Sequence, residues 1–247
     1  MPLRPRAPGA GFGRRDTDAV EKMDRADCDP DKLRRTYARF PIVNRFVSAP
    51  GALYREFVRP HLSTTGPSTL LDIGCGGGEM ALWMVRMAAR DGFELLATGI
   101  DPDPRAHAYA LSRARDVAPG AAVAYRRATS SDLAAAGERF DVVISNHVLH
   151  HLDDAALAGL LRDTEALARG VAVHADLRRS RTAYALFAVA AVPLAPGSFI
   201  RADGLTSIRR SHTAPELEAA LPPGWSAEPR APFRILAVYR PEPPADD

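Results

Sequence analysis

Two groups of residues in this sequence have the types and spacing to do chemistry. The first is T-L-L-D-I-G-C-G-G-G-E-M at 69–80, where Gly74, Gly76 and Gly78 alternate directly behind an apolar run that ends in Asp72. Glycines at a turn permit positive φ and let the backbone come close to a ligand, and three of them exceed what turning alone requires. Glu79 behind the loop would repel a pyrophosphate drawn to a helix N-terminus, and Asp72 before it suits a ligand carrying an ammonium or sulfonium. A dinucleotide fingerprint would also need a small residue where Glu79 stands. The second group is N-H-V-L-H-H-L-D-D at 146–154, with His147, His150 and His151 at i, i+3 and i+4. One helical turn would gather these rings on one face. A neutral imidazole has an ordinary pKa near ~6.5 and can take a proton from a hydroxyl at pH 7. The cluster with Asp153 also has the donor types for a divalent ion, but no further acids surround it and no metal is expected.

The elements that must position these groups alternate. Strand-like T-L-L-D-I, E-L-L-A-T-G-I-D, A-V-A-Y-R-R-A, F-D-V-V-I-S-N and G-V-A-V-H-A-D-L are separated by helix-like E-M-A-L-W-M-V-R-M-A-A-R, P-R-A-H-A-Y-A-L-S-R-A-R and A-A-L-A-G-L-L-R-D-T-E-A-L-A. Such alternation predicts an α/β fold, a mostly parallel sheet with helices on both faces, whose ligands bind beyond the carboxyl ends of the strands. Asp101 closes the second strand, where an acid can bind ribose hydroxyls, and Pro102 follows it. Between 31 and 61 the apolar spacing predicts two or three helices, broken at Pro41 and Pro50. After Asp176 the rhythm breaks. A helix is expected from about 180 to 192, then an irregular stretch from Pro196 to Arg210, and then a helix over A-P-E-L-E-A-A-L with Thr213 and Glu216 at capping-box spacing. Two strands follow. An insertion of this length reads as a lid.

At 247 residues and 46% hydrophobic, the chain suits one large domain. Its net charge is +2 with both signs interspersed, which recommends neither nucleic acid nor an anionic membrane as partner. Cys28 and Cys75 form no disulfide or metal pattern, so a reducing cytoplasm fits. The most apolar stretch, 183–195, is too short to span a bilayer.

The pattern h-h-D-x-G-x-G-x-G around Asp72 resembles the first motif of class I S-adenosylmethionine-dependent methyltransferases, and F-D-V-V-I-S-N-H-V-L-H-H-L resembles their fourth. The likeness extends over 31–240 and implies a Rossmann-like, seven-stranded sheet ending in an antiparallel hairpin. It divides the chain into a disordered arm (1–30), a helical cap (31–61), the donor-binding core (62–176), the lid (177–212), a C-terminal helix and strands (213–240) and a disordered tail (241–247). S-adenosylmethionine is then the cofactor and S-adenosylhomocysteine the product. The residues matched to its site are Asp72, Gly74, Cys75, Gly76, Gly78, Asp101, Pro102 and Asn146. The family often places an acid after the third strand for adenine; Thr129 stands there, so Asp132 is the candidate. His150, His151 and His147 are the candidates for a catalytic base, and Tyr37, Phe40, Arg178, Tyr184 and Phe187 for acceptor contacts, with His174, Asp176 and Phe199 nearby.

Residues 146–149 lack the N-P-P-Y-like sequence of enzymes that methylate nucleic-acid bases, which points to a small-molecule acceptor. N-H-V-L-H-H-L-D-D, D-L-R-R-S-R-T-A-Y-A-L-F and D-G-L-T-S-I-R-R-S-H-T-A-P-E-L resemble a bacterial subgroup found beside type III polyketide synthases, which implies a phenolic or polyketide acceptor without settling the methylated atom; O-methylation is expected ahead of C-methylation. A noncatalytic S-adenosylmethionine-binding partner subunit is the alternative, and a nucleotide-dependent oxidoreductase the third reading. Nothing in the sequence fixes an oligomeric state.

Overall fold

The structure is a computed structural model, and it describes residues 12–117 and 122–242. Strands β1 (Ser68–Ile73), β2 (Leu95–Ile100), β3 (Val123–Arg126), β4 (Phe140–Asn146), β5 (Ala168–Leu177), β6 (Trp225–Arg230) and β7 (Arg234–Tyr239) form one sheet in the order β3-β2-β1-β4-β5-β7-β6. β1 through β5 are parallel, and β7 runs antiparallel to both β5 and β6. This is the Rossmann-like class I methyltransferase architecture, seven-stranded with its hairpin at one edge. Strand order reverses at β1 and β4, so the loops after these strands open into one crevice.

Alternation along the strands divides the core. Leu70, Val142, Ile144, Val171 and Val173 face one cluster, joined by Met80, Ala81 and Met84 of α3 (Glu79–Arg90) and by Tyr54, Phe57 and Val58. Leu71, Ile73, Val143, Ala172 and Ile235 face the other, with Leu157, Leu160 and Leu161 of α6 (Asp154–Leu167). Neighbouring residues of one strand thus serve opposite faces, as a sheet covered on both sides demands.

The cap is α1 (Pro30–Val47), a short α2 (Pro50–Leu53) and a turn through Tyr54–His61. Asp29 caps α1 by accepting from the amides of Asp31 and Lys32, and Pro30 takes the first helical position. The expected break at Pro41 does not occur, and α1 runs through it. Its Leu33, Thr36 and Tyr37 are buried, and Tyr37 and Leu33 pack on Ala106 of α4 (Pro104–Val117) and on Phe199. Tertiary packing here outweighs the local cost of the proline.

Two further expectations are corrected, one beyond β5 and one at the N-terminal arm. α7 (Arg181–Ala190) is followed by α8 (Ile200–Arg210) where irregular chain was expected. Ile200, Asp203, Ser207 and Ile208 form its buried face, and Gly204, which argues against a helix on propensity, is there for packing: a Cβ on it would lie 2.4 Å from Cε1 of Phe187. The expected disordered arm does not describe residues 12–29. Asp203 accepts from the amides of Lys22 (2.8 Å) and Met23 (3.0 Å), Arg209 pairs with Asp16 at 3.2 Å, and Arg105 bonds the carbonyls of Met23 and Arg25. The buried side chain that repays this ordering is Glu21, 3% exposed. Residues 1–11 of the arm and 243–247 of the tail lie outside the described residues. The C-terminal part adds α9 (Ala214–Ala220), capped by Thr213 and Glu216. Among the described residues no helix is long and apolar enough to cross a membrane.

Asp203→Ala removes the acceptor of two amides in the N-terminal segment. It should speed hydrogen exchange at Lys22 and Met23 and cost about 1–3 kcal/mol, the range for buried donors left unpaired. Unchanged exchange at these two amides would show that the segment is held without Asp203.

Candidate functional site

The loops after β1, β2, β4 and β5, together with α1, α8 and residues 21–24, enclose a cavity of about 410 Å³. That volume is in the range of small-molecule sites. Its two ends differ in chemistry.

At one end stands the glycine loop. Gly74, Gly76 and Gly78 all have positive φ, at 68°, 52° and 77°, yet each glycine is required differently. A Cβ on Gly74 would lie 2.6 Å from Val148, and one on Gly78 would lie 2.5 Å from the ring of Tyr125, whose hydroxyl donates to the Gly78 carbonyl at 2.6 Å. A Cβ on Gly76 would meet nothing within 4 Å, and Gly76 lines the cavity. This is the glycine whose bareness leaves space for a ligand. Asp101 fixes it, accepting from the Gly76 amide at 3.0 Å with one oxygen and from the Asp103 amide at 2.9 Å with the other.

Two carboxylates at this end lack the partners that buried charge requires. Asp72 is 1% exposed and its Oδ2 has no hydrogen-bond partner. Burial, then the nearby charge of Glu79, pushes its pKa up to about 8. Glu79 opens α3 and accepts from Asn44 Nδ2 at 2.6 Å, but burial still raises it to about 7. Sequence reasoning counted Glu79 only as a residue that repels pyrophosphate. Cys75 lies between these acids, buried, with its thiol pushed well up by burial.

The other end is built by the turn after β4. His147 takes a left-handed conformation, φ 61°, a region where histidine is less rare than most residues. Its amide bonds the carbonyl of Ala175 at 2.9 Å, and the chain then enters a 3₁₀ turn over Leu149–His151. The three rings do not share one environment. His147 Nε2 is 2.9 Å from Ser48 Oγ, which also receives Asn146 Nδ2 at 3.0 Å. His150 is 2% exposed; its Nδ1 is 2.7 Å from Asp176 Oδ1 and its Nε2 is 3.2 Å from Glu21 Oε1. The second contact is close but poorly aligned, and Nε2 has no proper hydrogen bond. His151, part-exposed in the cavity, has Nδ1 3.2 Å from Asp24 and Nε2 3.9 Å from Glu21. Burial opposes charge on His150, but Asp176 and then Glu21 outweigh it and bring its pKa up to about 10. Asp176, accepting also from the amides of His150 (2.7 Å) and Leu177 (2.6 Å), is held well below the carboxylate range despite its burial. His150 is therefore an imidazolium at neutral pH, where a free base was expected.

Of the residues matched to the donor site, Asp72, Gly74, Cys75, Gly76, Asp101, Pro102 and Asn146 line the cavity, and Gly78 sits behind the loop against Tyr125. Asp132 does not. With Thr129 it forms the capping box of the short helix α5 (Ser130–Ala135), its carboxylate accepts from the Thr129 amide at 2.8 Å, and it is exposed. Tyr37, Phe40 and Phe187 line the cavity. Arg178 lines a separate pocket with Phe46 and Leu186. Tyr184 packs edge-on to Phe12 at 5.4 Å, under the guanidinium of Arg209, away from the cavity. His174 is wholly buried between Ser145 and Thr164 and stacked on Trp225, where burial lowers it to about 4. Phe199 belongs to the core beside Tyr37. Sequence reasoning missed Glu21, Asp24, Asn44, Asp203 and Ser207, and no local pattern marks the first two within D-T-D-A-V-E-K-M-D-R-A-D.

Residues 71–164 match the family described as methyltransferase domain. A ubiquinone biosynthesis O-methyltransferase of Methylobacterium sp. (strain 4-46) is 37% identical over 125 residues, 50% of this chain and 46% of that protein. Its counterpart in Cereibacter sphaeroides (strain ATCC 17025 / ATH 2.4.3) is 40% identical over 123 residues, 49% of this chain and 46% of that protein. The chain thus spans less than half the length of these curated relatives. Among solved structures, an O-methyltransferase family protein of Burkholderia thailandensis superposes with a TM-score of 0.59 at 14% identity, covering 84% of this chain and 59% of that one. The magnesium protoporphyrin IX methyltransferase of Synechocystis, with bound S-adenosylmethionine, superposes with a TM-score of 0.51 at 17% identity, covering 87% and 99%. These likenesses establish the fold.

The contrast among the glycines gives a test. Gly76→Ala should cost only about 1–2 kcal/mol of stability, the left-handed penalty, whereas Gly78→Ala adds overlap with Tyr125 worth about 1–3 kcal/mol. Chemical denaturation of both variants checks the order; equal losses would mean that Tyr125 moves aside.

Proposed function

We propose that the chain, whose residues 71–164 match the methyltransferase-domain family and whose sheet has the class I strand order, uses S-adenosylmethionine to methylate an oxygen of a small aromatic or polyketide-type acceptor. The observation that carries this reading is the pairing within one cavity of the unpartnered Asp72 carboxylate oxygen at the glycine loop with a histidine cluster at the far end. The orphaned Asp72 Oδ2 fits a cationic group of the donor's methionine part, and Glu79 adds a second acid beside it. Gly76 offers open space where a side chain would stand, and Asp101 is the candidate for the ribose. When bound, S-adenosylmethionine supplies an electrophilic methyl group on a sulfonium.

The residues do the rest by holding two reactants in line in a site walled by Tyr37, Phe40 and Phe187. The acceptor hydroxyl would lose its proton at the histidine end. His150 already carries a proton on each ring nitrogen, Nδ1 held by Asp176 and Nε2 facing Glu21, and its charge favours an oxyanion beside it. His151 has the ring open to the cavity. O-methylation agrees with the name of the two ubiquinone biosynthesis O-methyltransferases that the chain resembles, and the aromatic lining suits a planar acceptor.

Two outcomes are expected. A cation bound beside Asp72 and Glu79 favours their ionised forms, so donor binding at pH 7 should release protons, because the free groups sit at about 8 and about 7. By the same sign, donor affinity should weaken as pH falls through about 8 and then about 7, the free-state values of Asp72 and Glu79. Calorimetry in buffers of different ionisation heat measures this, and a zero proton balance would remove Asp72 and Glu79 from the donor contact. His151→Ala should slow single-turnover methylation of a phenol by 10²–10⁴-fold with donor affinity unchanged. A rate near that of the unaltered protein would send the proton elsewhere.

A further inference from the structure

The acceptor end holds an arrangement that proton transfer alone leaves unexplained. In two successive histidines Nδ1 is engaged by a separate carboxylate: His150 by Asp176 at 2.7 Å and His151 by Asp24 at 3.2 Å. In both rings Nε2 is left turned toward the same atom, Glu21 Oε1, at 3.2 and 3.9 Å. That oxygen accepts from Ser207 Oγ at 2.6 Å. His150 Nε2 is buried without a well-aligned partner, and one donor atom from each of Glu21, His150 and His151 lies within 4.8 Å of the others.

We propose that Glu21, His150 and His151 form a binding site for a divalent transition ion, such as zinc, manganese, iron(II) or cobalt(II), open toward the acceptor end of the cavity. Two imidazoles and a carboxylate are the donor set that such ions take, in contrast to the all-oxygen sets of calcium and magnesium. Ligating histidines almost always have their other ring nitrogen held by a carboxylate or carbonyl, and ligating carboxylates are themselves hydrogen-bonded; Asp176, Asp24 and Ser207 occupy these outer positions. Bonds of ~2.0–2.2 Å put neighbouring donors about 3–3.4 Å apart. The contact of His150 with Glu21 already fits, and His151, part-exposed with its Nε2 3.9 Å from Glu21, has to close on the other two donors, which lie within 4.8 Å. A closed ion pair would account for His150 between Glu21 and Asp176. It would not account for His151 and Asp24 repeating the geometry toward the same oxygen.

All three ligands line the cavity, so the coordination positions they leave open face the space assigned to the acceptor. The ion takes the place of the proton on His150 Nε2 and lowers the pKa of an oxygen bound to it, as it does for water. Resting on the methyl-transfer reading above, this selects acceptors with two adjacent oxygens, such as a catechol or a hydroxy-ketone enol, that can chelate.

The test uses the full chain, stripped with a chelator and titrated with cobalt(II) alone at pH 7.5, followed by visible absorption and equilibrium dialysis. One ion per chain with ligand-field bands is expected. Glu21→Gln and His151→Ala should each weaken uptake at least about tenfold, and Asp24→Asn, which changes only the positioning of His151, about tenfold. S-adenosylmethionine affinity, measured in every variant, should stay unchanged and certifies folding. Cobalt uptake that is absent, or equal in the unaltered chain and in His151→Ala, overturns the site. Stoichiometric uptake with methyl transfer to phenols but to no catechol would overturn the choice of chelating acceptors, and uptake with transfer to neither would leave the site standing and overturn the methylation reading instead.

Discussion

The carboxylate of Asp176 is the fixed point on which the site is built. Buried at the end of β5, it accepts from the amide and Nδ1 of His150 and from the amide of Leu177. A buried carboxylate survives only with such partners, because leaving it unpaired costs several kcal/mol. Here the partners come from the turn after β4, so the bonds that satisfy the charge also set the path from His147 to His151. His150, placed in this way, meets Glu21, and Glu21 brings with it a segment that would otherwise have little to hold it. Ser207, Asp203 and Arg210 of α8 complete the attachment by binding Glu21, the amides of Lys22 and Met23, and the carbonyls of His150 and His151. Strand end, turn, N-terminal segment and α8 are tied together by this one network of bonds.

The glycine end is the opposite electrostatic solution. Asp72 and Glu79 lie close to each other with few donors, and their carboxyls are raised instead of lowered. A native fold leaves few buried polar atoms unpaired. Of those found among the described residues, Asp72 Oδ2, Asn146 Oδ1, His147 Nδ1 and His150 Nε2 all belong to residues that line the one cavity. Such clustering supports the reading of this cavity as a ligand site. The apolar clusters on both faces of the sheet supply the stability against which these unpaired groups are tolerated.

The parts legible in the sequence are those written in local pattern. Apolar runs of strand length, alternating with amphipathic stretches, define the parallel strands and their helices, because each of those residues meets its face of the sheet by its own position in the chain. The loop from Asp72 to Gly78 and the acid at 101 are legible for the same reason, since a turn needs its glycines where it turns. Asp132 carried a local signal too: Thr129 and Asp132 have capping-box spacing, which outranks a match to an adenine-binding position.

Only the tertiary structure decided the rest. Glu21 reaches Ser207 across 186 residues of chain, and no window of sequence contains both. α8 is a helix because Phe187 fills the space beside Gly204 and because its buried face meets residues 21–23, not because its own residues favour one. The histidines were visible as a cluster, but their chemistry was not. A ring's proton affinity is set by the charges around it, and Asp176 and Glu21 arrive at His150 from opposite parts of the chain. The sequence by itself determined a sheet, a bare loop and a set of rings; which of those rings is charged, and which faces an open site, depended on contacts that exist only once the chain has closed on itself.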